Sequence, residues 1–468
     1  MAFLLVALSL LLAAGLYLYH VNRGMVNLPE ETRLLSPHRW SVDQVKATYK
    51  RNLDEPIDVT KSLPPKQSRR YIVVGGAGLV GNWIVQHLLA RGEDPAAIRV
   101  ADLQAPNHKT LDRGVAYIKT NVTDESSVSD AFSQKWPMTV VHLPLTVFHT
   151  AAVIRPADRL KLFLHLCRNV NVDGTRNVLN AAKKAGASCM IATSSGSVSI
   201  HRRNFWIAPW TRTPKGLTQI LSDSTPLPKE HEEFFGNYAV TKAEAERIVR
   251  DADSPDSNFR TGCIRPANGV YGIGDTAATV TGHYMRQGGS PSWMYNILQN
   301  FVNAENVSIA HLFYEQRLNE QTPISNRPNI GGQAFTVTDP NPAVSYGDVY
   351  LLLPTLAKTP VKFPAVSPVP LLLLSYLIEW YTSGAAAAIA LLHLAVHTIV
   401  DDSRARKAPE DGGLGYRPPF STMDGMCKEV IEWNSLVEKK GEGVVQDTAP
   451  VSVSSEGVDV NVAAPPKM

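Results

Sequence analysis

The chain has 468 residues, 44% of them hydrophobic and 19% charged, with a formal net charge of +3. That is enough core material for one large α/β domain with an added lobe, and the near-balanced charge, with no arginine-rich stripe interleaved with aromatics, excludes a nucleic-acid footprint. Four cysteines without CxxC pairing (Cys167, Cys189, Cys263, Cys427) exclude a zinc ribbon or a disulfide framework and read as reduced thiols of a cytosol-facing protein.

In chain order, Ala2 to Tyr19 is an uncharged apolar run at the short end of what spans a bilayer. It lacks a preceding basic region and a small-x-small cleavage site, so residues 1–24 read as a retained single-pass anchor rather than a signal peptide. Arg23, Arg33 and Arg39 follow, and the positive-inside rule places the remaining chain on the cytoplasmic side. Residues 25–69 are polar and proline-punctuated, as in a spacer with room for a short helix.

At Arg70 the pattern changes. Tyr71-Ile-Val-Val is a β-branched strand that runs into Gly75, Gly78 and Gly81, and then into an apolar pattern of helical period. Gly75 permits the turn, Gly78 clears space for a pyrophosphate, and Gly81 allows helix to pack closely on strand. Gly78, Leu79, Val80 and Gly81 then offer helix N-terminal amides to the phosphates. A second strand, Ile98 to Ala101, delivers Asp102 about 20 residues after the last glycine. A carboxylate there accepts the adenosine ribose hydroxyls and repels a 2′-phosphate, which favours NAD over NADP.

Strand-like runs 115–119, 145–149 and 188–192 alternate with helical patterns such as 171–184, which predicts a Rossmann-type doubly wound parallel sheet over 70–265. Between Gly196 and Tyr238 lies an insertion with Phe205, Trp206, Trp210, Phe234 and Phe235. It either lines an apolar pocket or covers the sheet edge and faces a membrane. Tyr238 and Lys242 are four apart on the next helix, so both side chains meet on one face. A phenol beside an ammonium can act as a base nearer neutral pH than its ordinary pKa of about 10 allows. Ser195, at the end of the preceding strand, can hold a substrate oxygen against it. Residues 266–440 are expected to form a smaller substrate lobe, with an apolar helical hairpin over 370–400, and 441–468 a disordered tail. His393 and His397 lack a carboxylate partner, so no metal is expected.

Taken together, these motifs resemble the extended short-chain dehydrogenase/reductases and, among them, the 3β-hydroxysteroid dehydrogenase/isomerase family. The resemblance covers roughly residues 70 to 435. It also rests on Phe148 to Ala152, Asn171 to Thr175, Arg265 to Gly272, Phe301 to Val307 with Ala310-His311, Gly332 to Phe335, and Leu414 to Tyr416. It implies a catalytic group of Ser195, Tyr238 and Lys242 with Asn171 supporting the network beside it. Asn121 and Val122 would flank the adenine, Ala151 and Ala152 would lie by the nicotinamide-side ribose, Lys242 would bond that ribose, and Pro266 would begin the loop receiving the nicotinamide amide. The implied activity is NAD-dependent oxidation of a 3β-type alcohol on a sterol or terpenoid, with decarboxylation at C4 open. A ketone or flavonoid-like reductase and a nucleotide-sensing regulator are the alternatives. The implied setting is the endoplasmic reticulum membrane, and a homodimer is left open.

Overall fold

The computed structural model describes residues 1–155, 158–274, 280–320, 327–382 and 396–441. Seven parallel strands make the main sheet: β1 (Arg70–Val74), β2 (Ile98–Asp102), β3 (Ala116–Lys119), β4 (Leu145–His149), β5 (Ala187–Thr193), β7 (Arg260–Pro266) and β11 (Gln333–Val337). Their spatial order is β11-β7-β5-β4-β1-β2-β3, with β6 (Thr218–Leu221) set elsewhere. The central strands β4 and β7 are buried along their whole length, as strands covered by helices on both faces must be. On one face the helices Leu79–Ala90 and Ala304–Asn319 pack against each other and on Tyr71, Val73, Phe148 and Ile191. On the other, Gly174–Lys184 and Asn237–Arg250 cover Ile72, Val74, Val147 and Met190. Strand order reverses between β1 and β4, and the carboxyl ends of the strands at such a switch point are where sheets of this kind bind ligands.

The remaining strands are short. β8 (Val270–Tyr271) pairs with β10 (Val302–Asn303), and a second sheet runs β12-β9-β13-β6, where β9 is Leu298–Gln299, β12 is Val344–Ser345 and β13 is His397–Val400. The lobe therefore draws β6 from the aromatic insertion. Conversely, β11 and the helix Ala304–Asn319 return to the main sheet, so the expected division at 265/266 does not separate two bodies.

Within residues 25–69, where the sequence left room for a short helix, the helix Val42–Asp54 starts with a Ser41–Gln44 capping box, buries Val45 beside Val349 and Met426, and pairs Arg51 with Asp424. Its apolar stripe, not its overall polarity, decided its packing. The hairpin expected over 370–400 has a helix at Pro368–Thr382, but His397–Val400 is a strand, parallel to β6, and its β-branched Thr398, Ile399 and Val400 suit that pairing. His397 is buried, with Nδ1 accepting from Leu298 N–H at 3.0 Å. His393 and the expected tail over 442–468 lie outside the described residues.

Candidate active site

The nucleotide side is built by backbone. Gly75 has φ +83°, and a Cβ there would lie 2.5 Å from Ala151 N, so the turn brings the β1 and β4 loops into contact only without a side chain. At Gly81 a Cβ would stand 2.1 Å from Gly75 O. The helix thus starts directly against the turn. Gly78 caps it without a side-chain bond, and its first turn carries no acidic residue, so the amide ends and the positive end of the helix dipole are left for an anion. Asp102 Oδ2 accepts from Ala77 N at 3.0 Å and Oδ1 from Gln104 N at 3.1 Å, which fixes the carboxylate beside the glycine loop. Burial pushes its pKa up, opposed by those amides. A glycine cradle, an uncapped helix start and a held carboxylate fit a dinucleotide.

The flanking residues are placed unevenly. Thr150 Oγ1 bonds Val74 O and Gly75 O, each at 3.0 Å, and Ala151 and Ala152 follow beyond the carboxyl end of β4. Asn121 is exposed and its Oδ1 accepts from Thr123 N and Oγ1, so its side chain shapes a turn; Val122 is buried against Gly174. Pro266 ends β7, buried, with its carbonyl facing Gly196.

The chemical side gathers three elements. The helix Asn237–Arg250 is held at its start by Asn237 N–H on Asp158 O at 2.9 Å and Asn237 Nδ2 on Leu160 O at 2.8 Å. A fork of Arg168 on Glu244, at 2.6 and 2.8 Å, holds it further along. One turn apart on it, Tyr238 faces Ser195, whose hydroxyl favours the phenolate, and Lys242 Nζ donates to Thr193 O at 2.6 Å. Ser195 Oγ already accepts from Ser197 N at 3.2 Å and from Ser197 Oγ at 2.8 Å. A hydroxyl has two acceptor sites and one proton, so the Ser195 proton is the part left to donate to the phenol oxygen or to a substrate oxygen.

Burial raises the Tyr238 pKa to about 12, against the lowering effect of the Ser195 hydroxyl. Burial also lowers that of Lys242 to about 8, with Cys263 and Glu246 pulling upward. Glu246 is pushed up by burial but held down by Arg265, whose guanidinium reaches it at 2.5 and 2.8 Å, and by Ser194 at 2.6 Å. His311 is neutral, its pKa lowered by burial to about 4. It donates from Nδ1 to Val307 O at 2.8 Å and accepts at Nε2 from Thr193 Oγ1 at 2.8 Å. That bond braces the strand end whose carbonyl holds Lys242.

Asn171 sits in a π-helical turn, Asn169–Asp173, that the expected regular helix did not include. Its amide bonds both the N–H and the C=O of Val153, at 2.9 and 3.1 Å, and Thr241 Oγ1 at 3.1 Å. It ties the loop after β4 to the helix of Tyr238. The sequence reading missed Ser197, Thr193 and Thr241. Only Ser197 had a local signal, the Ser-x-Ser spacing that lets one hydroxyl cap another.

The model of the 3-beta hydroxysteroid dehydrogenase/isomerase family matches residues 72–360. The chain belongs to that family. The span matched by the 3-beta hydroxysteroid dehydrogenase/isomerase family holds the whole site from Gly75 to Pro266 and leaves out the N-terminal apolar helix. The chain is 27% identical over 398 residues to a 3beta-hydroxysteroid-dehydrogenase/decarboxylase, isoform 2, of Arabidopsis thaliana, covering 80% of this chain and 64% of that protein. It therefore spans a little under two thirds of that relative's length. It is 26% identical over 405 residues to a 3 beta-hydroxysteroid dehydrogenase/Delta 5-->4-isomerase of Mycobacterium tuberculosis, covering 81% and 95%. Among solved structures, MoeE5 in complex with UDP-glucose and NAD superposes with a TM-score of 0.54 at 18% identity, covering 79% of this chain and 99% of the other, a likeness of fold.

Proposed function

We propose that this member of the family is an NAD-dependent dehydrogenase that oxidises a secondary, 3β-type alcohol on a sterol or terpenoid skeleton. The observation that carries the reading is that Tyr238 faces Ser195 while Lys242, one helical turn on, is held by the Thr193 carbonyl two residues before Ser195. Bound NAD would supply the hydride acceptor. Leu79, Val80 and Gly81 amides would hold its pyrophosphate, and Asp102 its adenosine ribose. Ser195 donates to the substrate oxygen and orients it, Tyr238 takes the hydroxyl proton, and the Lys242 ammonium favours the phenolate.

Decarboxylation adds little machinery. If the substrate carries a carboxylate on the carbon beside the carbinol, oxidation makes it a β-keto acid. The bond to the carboxyl carbon then breaks, its electron pair passes into an enolate, and Tyr238 and Ser195 donate to the enolate oxygen. Tyr238 can return the proton it took. The Arabidopsis relative's name joins the same two activities.

The helix Ala2–Val26 is long and apolar enough to cross a bilayer, with a mean hydropathy of 2.3 over its most apolar window. We read it as an anchor in the endoplasmic reticulum with the body on the cytoplasmic side, where Arg23 in its last turn and Arg33 beyond it lie. Purified protein is to be incubated with NAD and 3-hydroxysteroids or 4-carboxysterols labelled at the carboxyl carbon. Loss of two hydrogens with labelled carbon dioxide supports the decarboxylating reaction. Oxidation without label release leaves a plain dehydrogenase, and NAD binding without turnover on any substrate favours the regulator.

A further inference from the structure

The helix Ala2–Val26 is continuous, but only its first part is free of the body. Phe3, Leu4, Leu5, Leu8, Leu12 and Leu16 are exposed, whereas Tyr17 and Leu18 pack against the body and Val21 and Met25 are buried in it. From Ala2 to Leu16 the free part is about 15 residues. At 1.5 Å per residue it rises about 22 Å, against a hydrocarbon thickness of ~30 Å. A shortfall of about 8 Å is met by thinning the bilayer or by drawing the attached body into it.

The surface at that level suits the second outcome. The segment around Trp206 wraps the helix end: His20 Nε2 bonds Ala208 O at 3.2 Å, and the rings of Tyr17, Trp206 and Tyr376 stack in series at 6.3 and 6.2 Å. Helix Pro368–Thr382 lies alongside, joined through Val369 N–H to Asn22 Oδ1 at 3.4 Å. Around this junction Trp210 is 86% exposed and Leu373, Leu374 and Leu377 are exposed. Arg23, Arg212 and Lys215 are exposed at its rim. Indole rings at headgroup depth, leucines beneath and cations beside anionic headgroups are what an interfacial surface requires.

We infer that the body is seated in the headgroup region of the membrane on this face, formed by Trp210, Leu373, Leu374 and Leu377, and that a lipophilic substrate enters there. The inference rests on the anchor reading above. Its functional half comes from packing: the apolar cluster that takes in Val21, Met25, Phe205, Ile207 and Leu372 also has Tyr238 packed against it. The membrane-facing elements and the catalytic phenol thus share one apolar body.

All four native cysteines are buried, so single exposed cysteines can be labelled selectively. Full-length Trp210→Cys, Leu374→Cys and Met138→Cys are each given an environment-sensitive fluorophore and mixed with phosphatidylcholine–phosphatidylserine vesicles carrying shallow or deep nitroxide lipids. Met138 is 85% exposed in the stretch before β4 and serves as the control. Labels at 210 and 374 should blue-shift and be quenched most by the shallow nitroxide, with the label at 138 unaffected. Protein that sediments with vesicles while 210 and 374 stay unquenched overturns the seating and leaves the anchor standing. Labels shielded without lipid and unquenched with it would assign the face to a second copy of the chain and overturn the seating. Protein that stays in the supernatant overturns the anchor and the seating together. As the entry test, Leu373→Asp with Leu377→Asp should raise KM for a vesicle-borne sterol several-fold at unchanged kcat, and an unchanged KM would overturn entry at this face.

Discussion

Replacing Ser195 with alanine tests the chemistry most directly. With both acceptor sites of Ser195 Oγ filled by Ser197, its one proton is free in the unliganded enzyme to stabilise the phenolate of Tyr238, and turns to the substrate oxygen once substrate is bound. A hydrogen bond to the charged phenolate is worth about 1.5–3 kcal/mol. Ser195→Ala removes a bond that stabilises the anion, so the phenol pKa rises, by about one to two units at 1.36 kcal/mol per unit. The acid limb of the kcat/KM profile for alcohol oxidation should then move to higher pH by that amount. At neutral pH the rate should fall roughly 10- to 150-fold, and part of the loss should be recovered in alkaline buffer. NADH formation followed from neutral to alkaline pH measures it, with NAD affinity titrated separately. Ser197→Ala removes an acceptance but leaves the Ser195 proton in place, and should shift the limb far less. A Ser195→Ala profile lowered uniformly at every pH, with its limb unmoved, would refute the assignment of that proton to Tyr238.

Tyr238→Phe should cut turnover by roughly 10²- to 10⁴-fold with NAD affinity little changed, whereas Lys242→Ala should weaken both; isothermal titration beside initial rates separates them. In Asp102→Ser the preference for NAD over NADP should narrow, and a wild-type protein that binds NADP more tightly would remove Asp102 from its role. For Gly81→Ala, a Cβ 2.1 Å from Gly75 O must retreat by more than 1 Å to reach ordinary contact. We expect a loss of about 1–3 kcal/mol in denaturant unfolding and weaker NAD binding, and unchanged values for both would show that the helix start is not held against the turn. Deleting residues 2–16 should free the body from its span without unfolding it. Deletion through Met25 also strips two fully buried side chains, a cost of about 3–6 kcal/mol that thermal melting would detect.

The features legible in the chain were those built by near neighbours. A glycine turn between a β-branched strand and a helix, an acidic residue at the end of the next strand, and a tyrosine and lysine one helical turn apart each follow from local geometry. The alternation of strands and helices likewise called for a parallel sheet. Short strands were not legible, because two to four residues carry no period: β6, β9, β12 and β13 join stretches far apart in the chain into one sheet. For the helix Val42–Asp54 the sequence left room, but the polar average of that stretch masked the one stripe that packs.

By itself, then, the sequence determined a glycine turn between strand and helix, the tyrosine–lysine spacing of the proposed site and an apolar N-terminal helix, because each depends on spacing within a few residues. Tertiary structure alone decided how the site is held. The Thr193 carbonyl that fixes Lys242 lies 49 residues from it, and His311, which braces Thr193, lies 118 residues from Thr193. It also decided that the apolar helix ends inside the body. Whether an apolar residue meets lipid or protein depends on what folds against it, and the residues that cover Val21 and Met25, Phe205 and Leu372 among them, lie hundreds of positions along the chain.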